Sequence, residues 1–178
     1  MKQNFSILLA VLLFAACNNA AKESSTSKDS TAAAVTLPYA VNYSSDFEIG
    51  DKKLAQTVLT AWKDYDNNTL QNSLGIFADS VTMFLADGTV FSGKKDSAIA
   101  FISKVRGSMT SATSSVDAVT VLKTKGKDDS WVCVWGKEVD VMKDGKKDST
   151  LLNENWMFNK DGKVAVIRQL AAREVSKK

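Results

Sequence analysis

The hydrophobic pattern of the chain changes twice, and each change predicts a different kind of structure. An apolar run with a single serine, Ser6, covers residues 5–16. A polar tract follows over 18–34, and apolar residues return around Pro38. From there to about residue 107 the apolar positions recur mainly at helical spacing, whereas the later ones form strand-like runs. The pattern therefore predicts a leader segment, a linker and one folded domain.

The first part of that domain predicts two helices. Apolar residues at helical spacing behind Asp51, which can act as N-cap, predict an amphipathic helix over 51–66. Asn68 with Gln71 three residues later resembles a capping box and predicts a second, shorter helix. We expect its buried stripe to consist of Leu70, Leu74 and Phe77.

A strand, a third helix and four further strands follow. Val81–Ala86 reads as a strand that ends in the turn Asp87 and Gly88, and after Gly93 a third helix runs to Gly107. The later strands are predicted at Val116–Leu122, Trp131–Met142, Thr150–Phe158 and Val164–Ala172. This order predicts an α+β fold in which three N-terminal helices cover one face of a mostly antiparallel sheet.

The N-terminus has the features of a secretion signal. Lys2 precedes the apolar run, which ends in Ala15, Ala16 and Cys17. The run is shorter than the roughly 20 residues that a transmembrane helix needs, so we expect a signal peptide over 1–16. A plain secretory signal with a chance cysteine is the alternative to lipidation.

Small residues directly before a cysteine resemble the lipobox of bacterial lipoproteins, although Phe14 stands where Leu, Val or Ile is usual. The resemblance implies cleavage before Cys17 and acylation of that residue. We then expect a lipidated cysteine and flexible tether over 17–36 and a folded domain over 37–178, with its core at about 50–173. The expected location is the bacterial cell envelope, lipid-anchored, in the outer membrane rather than the inner one.

Composition narrows the chemistry. The 178 residues include no histidine, which excludes every mechanism that needs an imidazole. Lys and Arg number 23 against 20 Asp and Glu, and the charges are interspersed, so no nucleic-acid partner is expected. No cofactor and no metal site is predicted. With Cys17 acylated, Cys133 is the remaining thiol, and we expect it to be a buried core residue.

Four sequence segments, together with the order of the elements, resemble the nuclear transport factor 2-like (NTF2-like) superfamily, also called SnoaL-like. They are the segment Trp62–Asn68, the segment Phe77–Val81, the pairs Asp87-Gly88 and Gly93-Lys94, and the segment Trp156–Val164. The resemblance covers about residues 50–173. It implies a cone-shaped half-barrel with a pocket between sheet and helices, a fold that serves isomerases, dehydratases, cyclases, transport factors and binding modules.

The strands indicate which side chains face that cone. If Asp144-Gly145 and Asp161-Gly162 are two-residue turns, Trp135 and Gln169 both lie opposite Glu154. Lys137 then lies diagonal to Glu154 on the same face. With residues from the first helix and the first strand, the predicted pocket consists of Trp62, Tyr65, Leu85, Trp135, Lys137, Glu154, Trp156 and Gln169.

Glu154 is the one candidate for chemistry in this pocket. Burial between Trp135 and Trp156 would raise its pKa, and Lys137 would lower it. It can form an ion pair with Lys137, orient a ligand or act as an acid or base. The resemblance implies that Glu154 occupies the place of the ketosteroid isomerase residue that hydrogen-bonds the substrate oxyanion. Leu85 then stands where that enzyme has its general base, so isomerase activity of that kind is not expected.

Three functions remain open. The first is a membrane-anchored module that binds a small apolar or aromatic ligand, and the second is a SnoaL-like isomerase, dehydratase or cyclase that uses Glu154. The third is a partner-binding domain with no ligand. The other face of the sheet is predicted to be apolar as well, which favours a homodimer through that face. Its expected residues are Val132, Val134, Met157, Val164, Val166 and Leu170.

Overall fold

Two α-helices, a short 3-10 helix and seven strands make up the fold within the described residues. The computed structural model describes residues 36–173, of which residues 41 onward form the unit that carries the fold. The predicted signal peptide, Cys17 and nearly all of the tether lie outside the described residues. In chain order the elements are β1 (Phe47–Ile49), α1 (Lys52–Asp66), the 3-10 helix (Leu70–Ile76), β2 (Phe77–Phe84), β3 (Val90–Lys94), α2 (Lys95–Gly107), β4 (Met109–Thr124), β5 (Ser130–Met142), β6 (Lys147–Phe158) and β7 (Val164–Arg173).

Helix α1 begins where the sequence predicts. The Asp51 carboxylate accepts a hydrogen bond from the Lys53 backbone N–H at 2.9 Å, which satisfies one of the free donors of the first turn. The buried side of the helix consists of Ala55, Val58, Ala61 and Trp62. Helix α2 likewise confirms the third predicted helix. None of the helices within residues 36–173 is long and apolar enough to cross a membrane.

Asn68 ends α1 and does not begin a second α-helix. Its φ is 58°, its N–H donates to the Tyr65 carbonyl, and the Thr69 N–H donates to the Asp64 carbonyl. These two bonds form a Schellman motif, in which asparagine is one of the few residues that tolerate the left-handed position. The predicted capping box is therefore wrong. The following element is a 3-10 helix, and Phe77 belongs to β2.

The strands form one seven-stranded sheet in the order β1-β4-β5-β6-β7-β2-β3. All neighbouring pairs are antiparallel except β2 with β7. The predicted first strand starts earlier than expected, at Phe77, and β1 and β3 were not predicted because both are short and mostly exposed. The α+β class and the mostly antiparallel sheet are confirmed. Both α-helices pack on one face, called the inner face below.

The hairpin between β5 and β6 corrects the predicted register. The Met142 N–H donates to the Lys146 carbonyl at 2.8 Å, so the loop has three residues and Gly145 occupies its left-handed position at φ 82°. Trp135 consequently lies opposite Asn153 and not opposite Glu154. One extra loop residue shifts the register by one and turns every side chain of β5 to the face opposite to the predicted one. Trp131, Trp135 and Lys137 therefore lie on the outer face.

The hairpin between β6 and β7 keeps the predicted pairing over most of its length. Its loop also has three residues, since the Asn159 N–H donates to the Lys163 carbonyl, but a bulge beside Phe158 compensates for the shift. Glu154 lies opposite Gln169, as predicted. Phe158, however, lies opposite Val164 and not opposite Ala165.

The core lies between the inner face and the helices. Val132, Val134 and Val164, which were predicted to lie on the outer face, are fully buried in this core. Val132 and Val134 lie in the core because the register of β5 is shifted by one residue from the predicted one. Cys133 is buried, as predicted, and burial raises the pKa of its thiol. It lies on the outer face of β5, however, and not in this core.

Candidate functional site

A cavity of about 220 Å³ lies between the two helices and the inner face of the sheet. Apolar side chains from helices and strands form most of its wall, among them Leu70, Met83, Leu85, Ile99, Ile102 and Leu152. The polar side chains that reach it are Tyr65, Ser114, Glu138, Glu154 and Gln169. The cavity is thus a mainly apolar chamber with a small set of hydrogen-bonding groups.

Glu154 lies at the wall of this cavity and is held by three protein donors. The indole N–H groups of Trp62 and Trp156 donate to its Oε2 at 2.6 and 2.8 Å. The Gln169 amide donates to Oε1 at 2.9 Å. Burial raises the pKa of Glu154, while the three hydrogen bonds act in the opposite direction. Because both oxygens already have donors, Glu154 fixes the two indoles and the amide in place.

Six of the eight predicted pocket residues lie around the cavity. They are Trp62, Tyr65, Leu85, Glu154, Trp156 and Gln169. Trp135 and Lys137 do not line it, because they lie on the outer face of β5. The ion pair between Lys137 and Glu154, one of the three roles considered for Glu154, is excluded because the two side chains lie on opposite faces of the sheet.

Glu138 is an ionisable cavity residue that the predicted pocket does not contain. It lines the cavity from β5, and burial together with the charge of Asp140 raises its pKa to about 8. The sequence signal was present, because a three-residue loop at Gly145 places the even-numbered residues of β5 on the inner face. That register selects Glu138 in place of Lys137.

Tyr65 brings a phenol to the same cavity. Its hydroxyl donates to Met109 Sδ at 3.8 Å, a weak acceptor. Burial and the charges of Glu138 and Asp140 raise its pKa. The buried Arg106 of α2 supports this end of α1, because its Nε donates to the Tyr65 carbonyl at 3.0 Å.

Gly136 makes room for one wall of the cavity. A Cβ built on this residue would overlap the Ser115 carbonyl and lie 3.1 Å from a ring carbon of Trp62. The absence of a side chain on β5 therefore lets the Trp62 indole lie close to the sheet and reach Glu154. The described residues hold no group of three or more His, Cys, Asp or Glu side chains arranged to bind a metal ion.

Comparison with solved structures identifies the fold. The chain resembles an NTF2-like protein of unknown function from Exiguobacterium at TM-score 0.53 and 14% identity, covering 65% of this chain and 98% of that one. A second NTF2-like protein of unknown function, from Burkholderia pseudomallei, gives TM-score 0.52 and 20% identity, covering 65% of this chain and 88% of that one.

The fold is NTF2-like. A LEH-like epoxide hydrolase from M. tuberculosis has TM-score 0.56 at 8% identity, over 68% of this chain and 84% of that one. At sequence identities this low, the similarity to these structures shows the fold alone. No protein-family model matches the chain, and no curated protein matches it either. The residues around the cavity must therefore support any statement about the function of this NTF2-like domain.

The cavity of this NTF2-like domain divides its polar groups into two kinds. Glu154 and Gln169 bond to each other and to the two indoles, so they form a rigid part of the wall. Glu138 and the Tyr65 hydroxyl have weaker or fewer protein partners and face the same space. The second pair is therefore available to a bound molecule.

Proposed function

We propose that this protein is a lipid-anchored module that binds a small apolar or aromatic molecule in the cavity of its NTF2-like domain. The observation that carries the proposal is the cavity of about 220 Å³, which is mostly apolar and reaches both Glu138 and Glu154. An engineered apolar cavity of roughly 150 Å³ holds benzene, so this volume suits one ring with a short substituent.

The walls of the cavity favour binding because they are ordered in advance. Trp62 and Trp156 share one oxygen of Glu154, and the buried carboxylate holds both rings. A wall that is already fixed loses little conformational entropy when a ligand enters. This supports a binding role over that of a domain whose interior is simply filled.

Native mass spectrometry of protein purified from its own source tests this proposal. We expect a small molecule to accompany the wild-type domain and to be absent from Leu85→Trp, which fills the cavity. Lys104→Trp is the matched control, because it adds the same indole on the exposed side of α2 and leaves the cavity open. Circular dichroism checks that both variants fold. A wild-type protein without a ligand, or equal occupancy in all three proteins, would contradict the proposal.

The lipid anchor rests on Ala15, Ala16 and Cys17, which precede the described residues. Each buried acyl methylene contributes about 0.8 kcal/mol, so two or three chains would hold the protein on a membrane. We expect Cys17→Ala to move the protein to the soluble fraction, whereas Cys133→Ala stays with the membrane. Release of both variants, or of neither, would contradict lipidation at Cys17. Density-gradient fractionation then tests the expected outer-membrane location.

A homodimer through the outer face is the partner that we propose. Trp135 is 41% exposed and Leu170 is 62% exposed on this face, although three of the four valines predicted for it lie in the core. Large apolar side chains exposed together favour coverage by another protein surface. A second copy of the chain would provide a self-complementary cover.

A second candidate function is a SnoaL-like enzyme that uses a carboxyl group as acid or base. It is favoured by Glu138, whose pKa of about 8 lies in the range useful for proton transfer at neutral pH. Glu138 is better placed for this role than Glu154, whose oxygens already accept three hydrogen bonds. Incubating the extracted ligand with fresh protein separates the candidates, since an enzyme converts it and a binding module returns it unchanged.

A further inference from the structure

The side chains around the cavity offer a ligand no positive charge. Among the described residues that line it, the ionisable ones are Tyr65, Glu138 and Glu154, and none is Lys or Arg. The buried Arg106 is not part of the lining and directs its guanidinium to the backbone carbonyls of Tyr65, Asp66 and Met109. An anionic ligand would therefore meet carboxyl groups with no Lys or Arg among the lining side chains to pair with it.

The field at the cavity favours positive over negative charge. Burial is the largest cause of the raised pKa of Tyr65 and Glu138, and burial disfavours a charge of either sign. The other contributions depend on the sign of the charge. Asp140 and Glu154 raise both pKa values through their negative charge, and Asp66 adds to this at Glu138. Arg106 lowers the pKa of Tyr65 but does not outweigh the carboxylates there. The carboxylate charges oppose an anion and stabilise a cation.

Glu138 is the carboxyl group that can receive such a cation. Glu154 is occupied by Trp62, Trp156 and Gln169, whereas Glu138 has a side-chain hydrogen bond to its strand neighbour Asp140. The Tyr65 hydroxyl, bound only to Met109 Sδ at 3.8 Å in the described structure, can accept a second hydrogen bond. The aromatic rings of the wall add cation–π attraction.

We propose that the ligand of this cavity is a small apolar or aromatic molecule that carries a protonated amine, which pairs with the Glu138 carboxylate. This inference rests on the proposed ligand-binding function and names its ligand class. A simple aliphatic ammonium has a pKa near 10, like a lysine side chain, and keeps its proton on binding. Glu138 releases its own proton to solvent, so the bound state contains one ammonium and one carboxylate.

Isothermal titration calorimetry of the purified full-length protein at pH 7 tests the inference with three probes of similar size. Benzylamine carries a cation, benzyl alcohol is neutral and benzoate is an anion. We expect benzylamine to bind about tenfold more tightly than benzyl alcohol, as expected for a charged hydrogen bond of about 1.4 kcal/mol. Benzoate should bind most weakly.

Glu138→Gln should remove the tenfold preference, so that benzylamine and benzyl alcohol bind this variant with about equal affinity. Glu48→Gln, on the exposed strand β1, is the matched control and should behave like the wild type. Titrations in two buffers with different ionisation enthalpies should also show that benzylamine releases nearly one proton at pH 7, and that Glu138→Gln abolishes the release.

The outcomes separate this inference from the proposed function. If benzyl alcohol binds as tightly as benzylamine, or if Glu138→Gln retains the preference, the amine inference is wrong while the ligand-binding function stands. If none of the three probes binds, the cavity does not accept small aromatic molecules, and both proposals fail.

Discussion

The indole N–H of Trp62 lies 2.6 Å from Glu154 Oε2 and joins helix α1 to the middle of strand β6. Trp156 donates to the same oxygen, so two indoles meet on one buried carboxylate atom. A carboxylate that accepts hydrogen bonds in this way is held in a fixed position, and the donors partly balance its negative charge. Glu154, which the sequence indicates as the candidate for chemistry, therefore orders the cavity wall. Glu138, which is less constrained, faces the same cavity.

Replacing Trp62 by phenylalanine tests this structural role. Trp62→Phe keeps an aromatic ring but removes the N–H, so Glu154 Oε2 retains only the Trp156 donor. We expect the free energy of unfolding to fall by about 1 to 3 kcal/mol, the usual cost of a buried acceptor that loses a partner. Urea denaturation measures the change. Tyr39→Phe, at a side chain that is 84% exposed, should change the stability by less than about 0.5 kcal/mol. Equal effects of the two variants would refute the structural role of Trp62.

The long elements were predictable because their signals are local. Helix α1 carries its own cap and apolar stripe within 51–66, and the four long strands carry their own alternating runs. Strands β1 and β3 escaped prediction because they have three and five residues and bury little. Their position is decided by the neighbours they pair with, which no local pattern contains.

Which side chains of β5 line the cavity depends on whether the β5–β6 loop has two residues or three. Asp144-Gly145 is compatible with a two-residue or a three-residue hairpin, and only the hydrogen bond between Met142 and Lys146 distinguishes them. The shorter loop places Lys137 on the inner face, and the observed loop replaces it by Glu138. The predicted pocket thus contains the basic Lys137 where the structure has the acidic Glu138, although the strand itself is predicted correctly.

The pKa of Glu138 predicts a stability that falls as pH rises. Its folded value of about 8 exceeds the ordinary 4.5, so the native state binds more protons than the unfolded chain between these values. Stabilisation is complete below about pH 4.5 and is lost on the way to about pH 8. The groups that act on Glu138 are Asp140 on the same strand, Glu154 on β6, and Asp66 of α1.

Glu138→Gln should flatten the upper part of this profile. We expect the variant to lose less stability than the wild type between pH 6 and 8, by about 2 kcal/mol. A slope at lower pH should remain, because the pKa values of Asp140 and Glu154 are also raised. Urea denaturation at several pH values checks this, with the exposed Glu48→Gln as control. Parallel profiles of Glu138→Gln and the wild type would show that Glu138 ionises normally.

Gly136 should not tolerate a methyl group. In Gly136→Ala the new Cβ overlaps the Ser115 carbonyl and presses on the Trp62 ring, so either the β4–β5 pair or the indole must move. We expect a loss of about 2 to 3 kcal/mol, together with a changed environment of Trp62. Gly107→Ala is the matched control, because nothing lies within 4 Å of its added Cβ. Urea denaturation and tryptophan fluorescence measure both effects, and similar losses in both variants would contradict the steric explanation.

The last prediction concerns the assembly of two copies of the chain through the outer face. Trp135 and Leu170 both lie opposite Asn153, so one row across β5, β6 and β7 presents two large exposed apolar side chains. At the edge of this face Trp131 is already covered, since Tyr43 accepts its indole N–H at 3.1 Å and packs edge-on against it. The uncovered row is therefore the part of the face that a second copy would bury.

Leu170→Asp should make the protein monomeric, because dimer formation would bury an unpaired carboxylate. Light scattering coupled to size-exclusion chromatography measures the mass, and we expect a dimer for the wild type. Gln56→Asp adds the same charge to the exposed surface of α1 and should leave the dimer intact. A monomeric wild type would exclude the proposed assembly. A Leu170→Asp protein that is still dimeric would move the interface to another surface, since the charge lies in the middle of the row that the second copy must cover.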